Sequence, residues 1–540
     1  MRKIYLLSAA VLWLASLTLS AQTRYIDAMY GVEQVASDEE YATNFSVQTN
    51  ASVSLTFDAY APANDDTDTT RPVVVIWPTG SFLPQYFNGS PYGSKRDSVN
   101  VEIARRLAMR GYVAMVASYR TGWSPAAGQD VRTGTLLRAV YRASQDGHAM
   151  GRYLRKSVEE MENPYNIDTS RVTYWGNGSG GYLVLANAFL DNVDELNSNT
   201  DFYDEQGMAL VSEEVNSNPQ GTIATDQNIV NHPGYSSNVH LVVNMAGALG
   251  DTAWIDTTAN EPGVIAYHSF TDPFAPFNAG LVQVPTADGP LPVIDVLGSV
   301  ATLGVVNGAG INDMMDPANE TTLPAMFPAL SSEVNQRNEV YKSITRTSPI
   351  PGATDETFPL SRDNMYPIVR NRGNSPTAGV YNWFDEAALR AQVQAASTLS
   401  GVTLSADDII DGEDLTNPNR NNPAMAKAFI DTMMAHFIPR AWYQLELEAI
   451  TTGTEDRITN AAVGLSVFPN PTSSEFTVKV ADNLAIRRID LFDLHGRQVA
   501  QYTGIDRSSF TVGRGNLPRG TYVVQLRLDE GTTARLVEIR

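Results

Sequence analysis

The chain has 540 residues, 38 Lys and Arg against 60 Asp and Glu, a formal net charge of −22, and no cysteine. Its length allows more than one domain and a large core, and an apolar content of 43% argues against disorder as the main state. Lack of cysteine removes thiol catalysis, disulfides, cysteine zinc sites and iron–sulfur clusters, and the acidic balance suits neither nucleic acid nor an anionic membrane.

The chain opens on a secretory-signal pattern. Arg2 and Lys3 supply the positive start, Ile4 to Leu19 is mostly apolar, and Ser20-Ala21-Gln22 offers a cleavage point after Ala21. The apolar run is short for a membrane span. No later segment reads as a transmembrane helix, so the expected mature protein has none.

Residues 71–190 alternate strand and helix patterns. Val73 to Trp77 is a continuous apolar, β-branched run, as in a strand buried on both faces. Val99 to Arg110 has helical periodicity and stops at Gly111. Tyr112 to Ser118 predicts the next strand, Leu136 to Ser157 a long helix, and Val172 to Trp175 a third strand. A glycine-rich turn leads from there to a helix over Tyr182 to Leu190. Such alternation predicts a mostly parallel sheet wound on both faces. Residues 191–238 are polar and read as an insertion, strands resume at Val239 to Met245 and Gly263 to His268, and residues 280–425 read as a further insertion or cap. Ala424 to Leu447 predicts a last helix, and residues 451–463 a linker.

The tail differs in charge and pattern. Residues 464–540 carry ten Lys and Arg against eight Asp and Glu, in a chain that is otherwise strongly acidic. Short alternating runs at Glu475 to Val480, Ile489 to Asp493 and Thr521 to Leu528 are split by turns such as His495-Gly496 and Pro518-Arg519-Gly520. They predict a small all-β sandwich. The ordered motifs Ser466-Val467-Phe468-Pro469-Asn470-Pro471, Ile489 to Arg497 and Leu517 to Tyr522 resemble the type A sorting domain of type IX secretion cargo. The resemblance implies passage through the periplasm and across the outer membrane, with the secretion machinery as partner. The product is then secreted or attached to the cell surface.

The chemistry turns on Trp175-Gly176-Asn177-Gly178-Ser179-Gly180-Gly181. Gly176, Gly178 and Gly181 satisfy a G-x-G-x-x-G dinucleotide pattern, but the turn lies deep in the chain and no strand-ending acid follows at the right distance. No cofactor and no metal set is expected. The acidic run Asp407 to Asp414 lacks the alternate-position oxygens of a calcium loop and reads as a solvated helix cap. Asp65-Asp66-Thr67-Asp68 reads as an exposed loop.

The surroundings of the turn resemble secreted carboxylesterases of the α/β-hydrolase fold over about residues 50–280. Val73 to Phe82 resembles their strand and oxyanion loop, Leu107 to Val113 and Ser118-Tyr119-Arg120 the next helix and strand, and His268 to Pro273 the loop that carries the acid. The resemblance implies an α/β-hydrolase sheet over residues 22–450, with a nucleophile elbow G-x-S-x-G after the third strand of the alternation. The motif departs from that pattern. Aligning Gly176 with Gly180-Gly181 puts Gly178 where the nucleophile belongs, and Ser179 one position late. Pro78-Thr79-Gly80 stands where a His-Gly-Gly motif is usual; Pro78 has no N–H to donate, so Gly80 and Ser81 are left as oxyanion donors. Asp272 matches the acid. In the chain order Ser, Asp, His, only His436 follows within this domain, and it falls inside the last helix. His268 corresponds to a structural histidine.

Three readings follow. One is an exported protein with a degenerate esterase triad that binds a small-molecule ester, a glycan or a partner. Another is an active carboxylesterase using Ser179, Asp272 and a base such as His436. The third is a surface structural or adhesive protein.

Overall fold

The computed structural model describes residues 22–65, 70–256, 261–284, 291–319, 323–328, 343–346, 356–359, 363–368, 376–448, 463–481, 484–493, 498–515, 517–528 and 531–540. The expected signal at 1–21, nearly all of the expected linker, residues 66–68 of the acidic loop, and the His495-Gly496 turn lie outside the described residues. The chain divides into two compact units, Met1–Leu447 and Glu448–Arg540.

The first unit is built on an eight-stranded mixed sheet. Its strands are β1 (Gly31–Ser46), β2 (Ala51–Ala63), β3 (Arg71–Trp77), β4 (Val113–Ala117), β5 (Ile167–Asn177), β6 (Leu241–Met245), β7 (Gly263–Ser269) and, after the short hairpins β8/β9 (Ala279–Val284, Leu291–Leu297) and β10/β11 (Ser343–Arg346, Glu356–Pro359), β12 (Met365–Ile368). They are ordered β1-β2-β4-β3-β5-β6-β7-β12. The pairs β1/β2 and β2/β4 are antiparallel, and all others in this sheet are parallel.

The burial explains the sequence pattern. Every residue of β3, β4, β6 and β7 is buried, because helices cover both faces and leave no side for alternating polar residues. On β5 the Tyr174 hydroxyl donates to the Gly147 carbonyl of helix α2 (Gln129–Glu160), at 2.6 Å. The next residue, Trp175, packs on the other face against Phe437 of the last helix, with centroids 5.1 Å apart. Between these helices in the chain run α3 (Ser179–Phe189), α4 (Ser299–Gly308), α5 (Glu386–Ser400) and α6 (Ala406–Thr416); the last is α7 (Pro423–Gln444), and α1 (Ser98–Ala108) links β3 to β4.

Two elements depart from the sequence reading. Helix α2 begins at Gln129, well before Leu136. Its first turns are polar, yet Arg132 Nε and Thr133 Oγ1 are buried and donate to the carbonyls of Pro292 and Val293 on β9. Asp65 is not exposed: its carboxylate is fully buried between Arg24 (2.7 Å) and Arg71 (3.0 Å).

The second unit has two antiparallel sheets, β13-β14-β17 (Ser466–Phe468, Glu475–Lys479, Ser509–Gly513) and β16-β15-β18-β19 (Gln498–Arg507, Ile486–Asp493, Gly520–Leu528, Gly531–Ile539). One core holds residues of both, including Phe476, Val478, Ile489, Leu491, Val524 and Leu526. The alternating runs are the cause: on β18, Tyr522, Val524, Leu526 and Leu528 turn inward while their neighbours face out.

Candidate functional site

The turn between β5 and α3 stands at the carboxyl end of the central strands. Its glycines are dictated by space. A Cβ on Gly176 would lie 2.1 Å from the Gly180 carbonyl oxygen, and one on Gly180 would lie 2.2 Å from the Trp77 carbonyl oxygen. A Cβ on Gly181 would meet Asn244 Oδ1 at 2.5 Å. Strand and helix approach this closely only with bare backbone.

Gly178 stands at the turn just before α3, with φ 53° and ψ −113°, a conformation costly to any residue with a Cβ. A Cβ there would lie 2.1 Å from Thr79 Oγ1. The threonine of the Pro78-Thr79-Gly80 loop therefore fills the volume that a residue-178 side chain would need. The two departures read separately from the sequence are one packing solution.

Ser179 begins α3 and is buried. The Tyr119 hydroxyl donates to the Pro78 carbonyl at 2.9 Å, which leaves the Ser179 hydroxyl to donate to Tyr119 oxygen at 2.8 Å. The next residue, Arg120, is fully buried and paired with Asp146 of α2 at 2.8 Å. Burial raises the Tyr119 phenol, so it stays protonated and is no general base for Ser179 at neutral pH.

Asp272 follows β7 and lines the same cavity as Gly178 and Ser179. Its Oδ1 accepts from the amides of Phe274 (2.8 Å) and Ala275 (3.1 Å). Burial pushes its carboxyl up to about 7, although both N–H groups pull the other way. His268, one strand end away, contacts Ser299 Oγ through Nδ1 (2.8 Å) and the Ala275 carbonyl through Nε2 (3.2 Å), and burial holds it down at about 4.

His436, the base expected for an active triad, is placed elsewhere. Tyr267, its neighbour, precedes His268 on β7, so the two side chains leave opposite faces of the sheet. His436 sits between the rings of Tyr267 and Tyr366, with Nδ1 3.4 Å from the Tyr267 hydroxyl, and burial lowers its pKa. His148, His232 and His240 are engaged with Ser237, Tyr41 and Val172. Among the described residues no histidine lines the cavity.

Gly80 and Ser81, read from the sequence as oxyanion donors, lie in the loop after β3. Gly80 is buried with φ 133°, and a Cβ there would meet Gly93 Cα at 2.9 Å. Ser81 is exposed and, with Phe82, has positive φ (53° and 55°). The Trp123 indole donates to the Ser81 carbonyl at 2.7 Å and Gly122 N–H to the Phe82 carbonyl at 2.7 Å, which pins these strained residues.

Around this polar end opens a cavity of about 880 Å³, in the upper part of the ~300–1,000 Å³ range of small-molecule sites. The sheet and its helices supply Thr79, Asn177, Tyr182 and Asp272. The segments read as insertions supply part of the apolar wall: Leu196, Phe202 and Val211 from one, Val282, Ile294 and Val296 from β8/β9, and Leu415 from α6. Sequence reasoning left this wall unread, because its residues are short apolar islands with no common period. It also read the acidic run at 407–414 as solvated. Asp408 does lie in the capped first turn of α6, where the Ser405 side chain accepts its N–H at 3.1 Å. Glu413 instead lines the cavity beside Ser90 and Asn417, and burial pushes it up to about 7.

Residues 466–539 match the family described as the secretion system C-terminal sorting domain. That domain implies type IX secretion and a secreted or cell-surface destination. No curated protein matches the chain. Solved structures similar to it include esterase 2 of the planctomycete Thermogutta terrifontis. Its propionate-bound form is 18% identical over 46% of this chain and 75% of that one, with a TM-score of 0.28. Its native form is 19% identical over 47% and 76%, also at 0.28. The same enzyme phosphorylated by paraoxon is 20% identical over 46% and 74%, again at 0.28. Among the described residues no helix is long and apolar enough to cross a membrane.

Proposed function

We propose that this chain is type IX secretion cargo whose α/β unit binds a ligand in the elbow cavity and does not turn it over. What carries the reading is the collision at Gly178: its missing side chain would occupy the place of Thr79 Oγ1, 2.1 Å away. A nucleophile in this fold needs a hydroxyl on the strained turn and a base within hydrogen-bond reach. Gly178 has no hydroxyl, and Ser179 spends its proton on Tyr119. An acid such as Asp272 without a base performs no acyl transfer. The cavity itself remains large and well formed, which suits retention for binding.

A fluorophosphonate probe tests this on the full exported chain. The expected result is no covalent labelling of folded protein. Labelling that disappears in Ser179→Ala overturns the reading and restores an active serine hydrolase.

A further inference from the structure

From the charged groups that line the elbow cavity we infer its ligand class: an apolar organic amine, bound as the ammonium with its nitrogen at Asp272. The inference deepens the binding role proposed above and rests on that reading for the cavity being a binding site.

Asp272 has one carboxylate oxygen to offer. Oδ1 is spent on the amides of Phe274 and Ala275, at 2.8 and 3.1 Å. Oδ2 has no hydrogen-bond partner among the described residues, and unlike the enclosed polar atoms of this unit it keeps surface of its own. The residue is only 9% exposed and lines the cavity. An ionised acceptor this deeply buried is costly unless a donor meets it. The two amides hold the carboxyl group in place, so Oδ2 is positioned before a ligand arrives.

The rest of the lining selects the charge. Asp272 and Glu413 are the only charged side chains among the described lining residues, with no Lys, Arg or His. Glu413 is partly buried and makes only long contacts, 3.5 Å each, to Ser90 Oγ and Asn417 Nδ2. A cleft lined by one sign of charge, in a chain of net charge −22, concentrates the opposite sign. A carboxylate or phosphate end group would face two acids with no countercharge. A hydroxyl can donate to Oδ2 but leaves the buried charge uncompensated. A metal ion needs several converging oxygens, and among the described residues no set of three acidic or imidazole ligands includes Asp272. An ammonium donates to Oδ2 and neutralises it. Tyr182 and Tyr381, which line the cavity and feel the Asp272 charge, give it aromatic neighbours. The apolar wall of Leu196, Phe202, Val211, Ile294 and Val296 takes the body of the amine.

The test uses three probes that share one alkyl chain: octylammonium, octan-1-ol and octanoate, titrated calorimetrically into the full exported chain at pH 8. At that pH the Asp272 carboxyl, pushed by burial up to about 7, is ionised. Octylammonium is expected to bind about tenfold tighter than octanol, and octanoate more weakly than either. Equal or tighter binding of octanol or octanoate overturns the inference and leaves a binding role for the cavity standing; binding of none of the three overturns the inference. Asp272→Asn keeps an acceptor for the two amides and removes the charge. It is expected to weaken octylammonium about tenfold and to hold octanol within about twofold, at unchanged circular dichroism. Unchanged octylammonium affinity in this variant overturns the placement of the nitrogen at Asp272. If the variant does not fold, the ranking on the parent chain decides alone. None of the probes has a bond to hydrolyse, so the ranking is independent of turnover: fluorophosphonate labelling sinks the noncatalytic reading and leaves the ammonium preference standing.

Discussion

Gly178→Ser is expected to destabilise the α/β unit by about 2–6 kcal/mol and to leave it unreactive. The new side chain adds two costs. The turn holds φ 53° and ψ −113°, which a serine adopts only with strain of about 1–3 kcal/mol. Its Cβ would also overlap Thr79, 2.1 Å from Oγ1 and 2.9 Å from Cβ, an overpacking typically worth about 1–3 kcal/mol. Thr79→Gly combined with Gly178→Ser removes the second cost. Urea denaturation of the two single variants and the double variant closes a cycle whose coupling is expected at about 1–3 kcal/mol. A Gly178→Ser single variant as stable as the parent would show that Thr79 does not hold that space. The double variant is still expected to resist fluorophosphonate, because no histidine among the described residues lines the cavity to take the serine proton.

Asp272→Asn is expected to become more stable than the parent as pH rises from 5 to 8. The folded chain holds the Asp272 proton up to about pH 7, against an ordinary value of 3.8, because burial disfavours the carboxylate. The unfolded chain releases that proton near pH 4. Between the two values the folded state binds more protons, so the contribution of Asp272 to stability is full below about pH 4 and is lost as pH rises through 7. At 1.36 kcal/mol for each pKa unit, the loss has a ceiling of about 4 kcal/mol. Asparagine keeps the acceptor for the amides of Phe274 and Ala275 and has no proton to lose. The titratable side chains facing Asp272 are the phenols of Tyr182 and Tyr381, both raised by burial and by this carboxylate. Other buried groups titrate in the same window. Asp97 is pushed up to about 7, while His240 and His268 are held down at about 4. They are common to both proteins and cancel in the difference. Thermal melts at pH 5, 6, 7 and 8 measure it, and a Tm difference that stays constant would show that Asp272 is ionised throughout.

The parts of the chain that were legible share one property: their structure follows from neighbours in sequence. Val73 to Trp77 of β3 is a run of apolar residues because the middle of a strand covered on both faces has little room for a polar one. The tail strands alternate because one face is core. Gly176 is required by the β5–α3 turn's own backbone, where a Cβ would meet the Gly180 carbonyl oxygen. Where that property fails, the chain was not legible. β1 is acidic and largely exposed over its first ten residues, and its register against β2 breaks three times, so it carries no clean period. The polar first turns of α2 resemble a loop until β9 offers its carbonyls to Arg132 and Thr133.

The sequence by itself determined the strand–helix alternation, the glycine-rich turn after β5 and the sorting tail, since each is written in residues within a few positions of one another. Only the tertiary structure decided that Thr79 occupies the space above Gly178, that Ser179 serves Tyr119, that His436 faces away from Asp272, and that scattered apolar islands from the insertions join Asp272 in lining one cavity. Those facts depend on which side chain reaches a given volume first. Two groups far apart in the chain compete for such a volume only once the sheet has brought them together.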